Sequence, residues 1–128
     1  SMLDPTVTIA ILYPSSSSYL EMKKIFDKAG IAFCMYDKKI IVIDGAVVDE
    51  EWFTAAHLRI IEAHEIGHIL SKHEHVLDFN DQIEREADFV GYNLLCKFEL
   101  EDAIKLYQQE YYQRYGCTPE NDNIMKKS

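Results

Sequence analysis

The sequence has few of the residues that cross-link small proteins. It contains three cysteines, Cys34, Cys96 and Cys117, which are odd in number and far apart. This pattern excludes a disulfide framework and a CxxC metal site, and it favours a reducing compartment. The sequence also lacks an N-terminal basic region followed by an apolar run, and it lacks an apolar run long enough to span a membrane. We therefore expect a cytoplasmic protein without a membrane segment.

Basic residues are scarce as well, since 13 Lys and Arg stand against 22 Asp and Glu, a formal net charge of −9. Nucleic acids and anionic membrane surfaces are bound through clusters of Lys and Arg, so we expect neither as a partner. The same charge also keeps a small protein soluble. Apolar residues make up 48% of the chain, enough to bury a core. The length predicts one domain over residues 2–117, with 118–128 as a flexible tail.

Hydrophobic periodicity and turn residues predict seven elements. Strands are predicted in short apolar, β-branched segments, at 6–13, 31–36 and 40–44. Helices are predicted from the 3.6-residue spacing of apolar residues, at 19–29, 50–72, 82–97 and 99–115. A capping box is predicted over residues 18–21, and the acidic residues 49–51 favour a helix start. The order β-α-β-β-α-α-α predicts an α+β fold in which a sheet of about three strands packs on the helices.

Residues 64–68 read His64-Glu65-Ile66-Gly67-His68, an HExxH motif within the second predicted helix. Residues four apart lie one turn apart on one helix face, so His64 and His68 can bind one zinc ion at about 2.0–2.1 Å. Zinc lowers the pKa of a bound water toward about 7, and Glu65 can accept the water's proton as a general base. The alternative is a pair of solvated histidines, but Ile66 and Gly67 are not typical of an exposed helix face.

A catalytic zinc ion usually has three protein ligands and a water, so the motif requires a third ligand. The candidates are His57, His73, His75, Glu84, Glu86 and Asp88. His57 lies two helical turns, about 10 Å, before His64 and is too far away. The two later histidines could fold back toward the helix, but they do not fit the HExxHxxGxxH spacing of metzincins.

The best candidates lie on the following helix, where Glu84 and Asp88 are four residues apart and share a face. Glu86 is about 200° from Glu84 around the helix and points away. We therefore interpret Glu84 as the third ligand and Asp88 as the acceptor of the spare N–H of a metal-bound histidine. The alternative is that Asp81 and Glu84 form a capping pair, with Glu86 and Asp88 exposed to solvent.

The HEIGH sequence, followed by Glu84-x-x-Ala87-Asp88-x-x-Gly91, resembles the gluzincin pattern of HExxH with ExxxD on the next helix. The stretch of about residues 38–95 is most similar to the small ImmA/IrrE-type metallopeptidases and to minimal single-domain gluzincins. The resemblance implies a peptidase with one zinc ion per chain, whose substrate lies along a sheet edge above the active-site helix. The chain departs from the ImmA/IrrE type in lacking a proline at 93–97, so a repressor-cleaving role is not implied.

Peptide hydrolysis also needs a group that stabilises the oxyanion. Tyr92, one turn after Asp88, is a candidate near the metal face, and the further candidates are His75, Tyr107, Tyr111 and Tyr112. The alternative is that Tyr92 is an ordinary packing residue, and the cluster Tyr107–Tyr115 is expected to cover the core. The strand at 40–44 has four consecutive apolar residues, which indicate burial on both faces. The substrate edge is therefore expected at 31–36 or 73–80.

The predicted function is a zinc metallopeptidase that hydrolyses peptide bonds of an intracellular protein or peptide. One alternative is a catalytically silent zinc-binding module that recognises a peptide of a partner protein. Another is a regulatory domain in which the HExxH motif is accidental. Glu65 favours the first hypothesis over the second, because zinc binding alone does not require a glutamate at that position.

Overall fold

The structure is a computed structural model that describes residues 1–73 and 80–123. Its sheet consists of β1 (Thr8–Leu12), β2 (Ala32–Met35) and β3 (Ile40–Asp44), in the spatial order β1-β3-β2. β1 pairs with β3 in parallel, whereas β2 and β3 are antiparallel neighbours. β3 is therefore the central strand, as its apolar run predicts, and β2 is an edge strand.

The side chains of β3 alternate between two apolar layers, because successive residues of a strand point to opposite faces. Val42 packs with Phe33 in the layer that is covered by α1 (Tyr19–Ala29). Ile41 and Ile43 are completely buried in the other layer, which the later helices cover. The sheet is thus enclosed between one helix on one face and a group of helices on the other.

The helices that follow β3 in the described part of the chain are α2 (Gly45–Val48), α3 (Ala55–Leu70), α4 (Asp81–Lys97) and α5 (Glu101–Tyr115). The predicted α+β class and the three strands are confirmed, and the element order matches apart from the additional short helix α2 and a 3₁₀ helix after α5. Within the described residues, no helix combines the length and the apolar character needed to cross a membrane.

The start of α3 differs from that of the helix predicted at 50–72. α3 begins after Thr54, whose side chain caps the helix by accepting a hydrogen bond from the backbone N–H of His57. The acidic residues 49–51 lie in the turn after α2 and not in a helix N-terminus. The serine before α1 makes no side-chain cap, so the capping box predicted over residues 18–21 is wrong.

α3 is the central helix of the second layer, and all but one of its residues from 60 to 69 are buried. α4 crosses α3 with two close approaches. A Cβ atom at Gly67 would lie 2.2 Å from the carbonyl oxygen of Ala87, and one at Gly91 would lie 2.7 Å from the carbonyl oxygen of Ala63. Because only glycine fits at these points, the two glycines let α4 hold its acidic residues directly over the α3 histidines.

The segment after α5 packs against the domain, whereas the sequence predicts a flexible tail over 118–128. It contains a short 3₁₀ helix at Pro119–Asn121. Asp122 is buried, and its carboxylate accepts hydrogen bonds from Arg85 and Tyr111. The packed unit therefore extends beyond α5, and the last five residues of the predicted tail lie outside the described residues.

Candidate metal centre

The three side chains predicted as metal ligands converge between α3 and α4. The Nε2 atoms of His64 and His68 are 3.1 Å apart. Glu84 has one carboxylate oxygen 2.9 Å from Nε2 of His64 and the other 3.5 Å from Nε2 of His68. Ligand atoms around a tetrahedral zinc ion are about 3.3 Å apart, so these separations fit a single ion. Among the described residues, this is the one group of three or more His, Cys, Asp or Glu with ligand atoms close enough to share a metal.

Local structure explains how the three ligands are presented. The two histidines project from successive turns of α3, and Glu84 projects from the first turn of α4. The position of that turn is fixed by Asn80, whose side chain accepts a hydrogen bond from the backbone N–H of Ile83 at 2.9 Å. The His68 side chain is fully buried, whereas those of His64 and Glu84 are 16% and 28% exposed. Solvent therefore reaches the centre from the side of His64 and Glu84.

Asp88 lies beside His64 on the side away from the centre. Its Oδ1 atom is 2.5 Å from Nδ1 of His64, so that Nε2 of this ring faces the other two ligands. Three side chains of α5, Tyr107, Arg114 and Tyr115, donate further hydrogen bonds to the same carboxylate at 3.2, 2.9 and 2.7 Å. Asp88 thus joins α3, α4 and α5 and is held in one orientation.

The carboxylates around His64 make the centre attractive to a cation. Burial lowers the pKa of His64, but Asp88, Glu84 and Glu65 outweigh this effect and raise it to about 10. Burial raises the pKa of Asp88, but the charge and hydrogen bond of His64, together with Arg114, lower it to about 2. The carboxylates around His64 therefore favour a positive charge beside them, and either a protonated His64 or a bound metal ion would supply that charge.

Glu65, the predicted general base, is buried to 3% exposure with one carboxylate oxygen 3.8 Å from Nε2 of His64. A cavity of about 950 Å³ reaches His64, Glu65 and Glu84. Glu65 therefore stands beside the ligands at the place where a water or a substrate can enter. This placement is what general-base chemistry requires, since the base must lie within reach of the proton that it accepts.

The wall of the cavity includes the beginning of the edge strand β2. Gly30, Ile31 and Ala32 line the cavity together with residues from the start of α3 and from α5. Among the described strands, β2 pairs with β3 and stands at the end of the order β1-β3-β2. The strand at 40–44, in contrast, is central in the sheet. The location of the substrate edge at 31–36 stays a prediction, and this geometry is compatible with it. Of the alternative stretch, 73–80, residues 74–79 lie outside the described residues.

Tyr92, the predicted candidate for oxyanion stabilisation, does not reach the centre. Its ring is buried against Tyr107, with ring centroids 6.3 Å apart, and its hydroxyl donates a hydrogen bond to Glu120. It is not among the described residues that line the cavity. This placement favours the packing interpretation of Tyr92.

The other histidine candidates have separate positions. Nδ1 of His57 is 2.8 Å from Oγ1 of Thr54 at the start of α3, and His57 also lines the cavity. His73 follows α3, and its Nδ1 lies 3.1 Å from Nδ1 of His68, on the opposite side of that ring from the centre. His75 lies outside the described residues. Glu86 is directed to His73 and not to the centre, as its predicted orientation on α4 requires.

The sequence did not predict that α5 contributes to the centre. Tyr107, Arg114 and Tyr115 are spaced by seven and eight residues, so their shared helix face could have been recognised. Which residue of α4 that face would contact depends on how α5 crosses the other helices, and this is a tertiary feature. The contact between His73 and His68 was likewise missed, because it depends on the turn after α3.

Comparisons with protein-family models, with curated proteins and with solved structures found no match to this chain. The gluzincin resemblance of the HEIGH sequence and of the Glu84 and Asp88 spacing stays a prediction. The case for the centre therefore rests on its own geometry and chemistry.

Proposed function

We propose that this chain is a zinc-dependent metallopeptidase that hydrolyses peptide bonds of a cytoplasmic protein or peptide. The observation that carries the proposal is the convergence of His64, His68 and Glu84 on one point, with Glu65 beside it at the cavity. Two imidazoles and one carboxylate form a common ligand set of catalytic zinc sites, in which one position is left for water or substrate. The resemblance to gluzincins supports the same assignment.

Each residue of the centre has a distinct role in this proposal. A bound zinc ion supplies Lewis-acid polarisation of the substrate carbonyl and lowers the pKa of the attacking water to about 7. Glu65 accepts the proton of that water and can pass it to the leaving amine. Asp88 accepts the Nδ1–H of His64 and thereby keeps the Nε2 lone pair of this ring directed at the ligand centre.

The residues that line the cavity are compatible with a peptide as the substrate. An extended peptide can add backbone hydrogen bonds to a strand at the end of a sheet, and β2 is at the end of the order of the described strands. The beginning of that strand and Glu65 line the same cavity, so a peptide on β2 would pass close to the ligands. Cys34, Cys96 and Cys117, the three cysteines of the sequence, form no disulfide bond, which supports a reducing compartment such as the cytoplasm.

The first experiment tests the metal. Zinc content is measured by mass spectrometry for the wild type, for Glu84→Ala and for Glu110→Ala, which removes a carboxylate from the same cavity. We expect about one zinc ion per chain in the wild type and in Glu110→Ala, and a sharp loss in Glu84→Ala, because three protein ligands are needed. A wild type that binds no zinc would refute the proposal.

The second experiment separates a peptidase from a zinc-binding recognition module. A library of fluorogenic peptides is incubated with the zinc-loaded wild type and with Glu65→Gln. We expect Glu65→Gln to keep its zinc and to lose activity by about 100-fold to 10,000-fold, the usual contribution of a general base. Peptides that bind both proteins equally and are cleaved by neither would indicate the recognition module.

A further inference from the structure

The two histidines of the proposed metal centre have different partners behind them. His64 contacts a carboxylate directly, through Nδ1 and Asp88. His68 contacts a third imidazole, since its Nδ1 is 3.1 Å from Nδ1 of His73. Nε2 of His73 is in turn 3.0 Å from a carboxylate oxygen of Glu86. Each histidine therefore has a carboxylate on the side away from the ligand centre. Asp88 contacts His64 directly, whereas Glu86 is linked to His68 through the ring of His73.

The turn after α3 places His73 in this position. Lys72 has a left-handed conformation with φ of 59°, and this reverses the chain immediately after the helix. The backbone N–H of His73 then donates to the carbonyl oxygen of His68 at 2.9 Å. The ring of His73 folds back to a centroid distance of 5.3 Å from the ring of His68, and its side chain is only 10% exposed.

The protons of the three groups fit one arrangement. If Nε2 of His68 binds a metal, the proton of that ring must be on Nδ1, where it can be donated to Nδ1 of His73. His73 then carries its own proton on Nε2 and donates it to Glu86. The acceptor is Oε2 of Glu86, and its distance of 3.0 Å from Nε2 of His73 is normal for a hydrogen bond.

We propose that His73, oriented by Glu86, is a positioning residue that fixes the tautomer and the ring orientation of His68 for the metal. The inference rests on the metal-binding part of the proposed function. Partners of this kind behind a ligand typically contribute 10-fold to 100-fold to metal affinity. His73 acts through His68 and touches neither the metal nor the substrate.

A purely structural role for His73 would rank the variants differently by their affinity for Zn²⁺. This difference is the basis of the test. His73→Phe keeps a ring of similar shape but removes the acceptor. His73→Asn is smaller, but its amide oxygen can take the place of Nδ1 as the acceptor. A positioning role predicts that His73→Asn resembles the wild type more closely than His73→Phe, whereas a packing role predicts the reverse.

The affinity of the full chain for Zn²⁺ is measured by competition with a fluorescent chelator. We expect affinity to fall about 10-fold to 100-fold in His73→Phe and to stay within about threefold of the wild type in His73→Asn. Gln82→Ala is the matched control, because Gln82 contacts Oε1 of Glu86 at 2.9 Å, whereas His73 contacts Oε2. We expect this control to bind Zn²⁺ as the wild type does. Equal affinity in His73→Phe and the wild type would overturn the inference, as would weaker binding in His73→Asn than in His73→Phe.

A spectroscopic measurement follows the tautomer of His68 directly. In the zinc-loaded chain with ¹⁵N-labelled histidine, we expect a protected Nδ1–H signal for His68 that persists in His73→Asn and is lost or strongly shifted in His73→Phe. Should His73→Phe not fold, Glu86→Gln gives a second measure on a partly exposed side chain, with a few-fold weaker Zn²⁺ affinity expected and unchanged affinity contradicting the role of Glu86.

The outcomes also separate this inference from the proposed function. A wild type without zinc would refute both. A zinc-binding wild type whose affinity is unaffected by His73→Phe would refute the inference alone. A chain with the expected affinities and no peptidase activity would refute the proposed catalysis and leave the positioning role of His73 intact.

Discussion

The two layers that cover the sheet differ in what they bury. The layer under α1 buries Tyr19, Phe26, Phe33 and Val42. Of the described residues, the buried Asp, Glu and His side chains all lie on the other side of the sheet, in α3, α4 or the segment after α5; these residues are Glu62, Glu65, His68, Asp88 and Asp122. One face of the sheet is thus packed with apolar and aromatic side chains, and the other carries a polar network at its centre.

This difference indicates which layer serves the fold and which serves a function. Burying a carboxylate costs free energy unless hydrogen bonds and opposite charges compensate, and an apolar layer of the same volume is often as stable. The α1 layer shows that this chain can cover a sheet without buried charge. The network around Asp88, which connects His64 with three α5 side chains, is therefore not needed to cover the sheet. Two of the predictions below test whether stability and metal binding can be separated in this way.

The largest expected effect on stability alone is that of Phe26→Ala in the α1 layer. Phe26 is buried and packs on Phe33 with ring centroids 5.4 Å apart. Removing such a ring typically lowers the free energy of unfolding by about 3–5 kcal/mol, because contacts are lost and a cavity remains. Zn²⁺ affinity of the folded protein should not change, since Phe26 lies across the sheet from the centre. Urea unfolding and chelator competition at low temperature measure both quantities.

Leu20→Ala is the control for this prediction, because Leu20 is on the same helix and is 76% exposed. We expect it to change the free energy of unfolding by less than about 0.5 kcal/mol. A 10-fold loss of Zn²⁺ affinity in Phe26→Ala under folding conditions would show that the two layers are not independent.

An intermediate effect is expected from Gly67→Ala, which should affect both stability and metal binding. The added Cβ would lie 2.2 Å from the carbonyl oxygen of Ala87, so α3 and α4 must move apart. Overpacking of this kind costs about 1–3 kcal/mol. Since the histidines lie on α3 and Glu84 lies on α4, the same movement separates the ligands, and we expect Zn²⁺ affinity to fall at least about 10-fold.

Gly116→Ala provides the matched comparison for Gly67→Ala. Gly116 has φ of 75°, and an added Cβ would meet no atom within 4 Å. Alanine in the left-handed region costs roughly 1–2 kcal/mol, so the loss of stability should be similar to that of Gly67→Ala. Zn²⁺ affinity should stay at the wild-type level. If both variants lost affinity equally, the close approach at Gly67 would not be what aligns the ligands.

The part of the centre that could be predicted from the sequence is the part that depends on helix periodicity. The spacing of four residues places His64 with His68 on α3, and Glu84 with Asp88 on α4, whatever the rest of the fold. The run of apolar residues at 40–44 also predicted a strand buried on both faces, and β3 is the central strand. The prediction failed at the start of α3, where the acidic residues 49–51 favoured an earlier beginning and the Thr54 cap determined the actual one.

The part that could not be predicted depends on how helices cross and how the chain turns between them. Tyr92 is one turn after Asp88 and was a candidate for the same face, but that turn of α4 packs on Tyr107 and reaches the segment after α5. Arg114 and Tyr115 contact Asp88 only because α5 returns across α4. His73 reaches His68 only because Lys72 adopts a left-handed turn, and nothing about a lysine predicts that conformation.

The smallest expected effect is that of Glu120→Gln, which tests how far the polar network contributes to stability beyond the centre. Glu120 accepts hydrogen bonds from the hydroxyl of Tyr92 and, at 2.8 Å, from the amide of Gln108. Burial raises the pKa of Glu120, but these hydrogen bonds outweigh it and hold the pKa below its usual value of 4.5. Because the folded pKa is lower than the unfolded one, the stabilisation is present above about pH 4.5 and is lost as the pH falls through the folded pKa.

We therefore expect Glu120→Gln to lower the free energy of unfolding by less than about 1 kcal/mol at pH 7, since Glu120 is largely exposed and solvent screens its interactions. The difference from the wild type should shrink as the pH is lowered toward 3, which urea unfolding at a series of pH values measures. Glu21→Gln is the control, because Glu21 belongs to α1, which covers the apolar layer, and its side chain is exposed to solvent. If the difference in the free energy of unfolding between Glu120→Gln and the wild type stayed constant down to pH 3, the ionised carboxylate of Glu120 would not be what holds the segment after α5. The polar network would then end at Asp122.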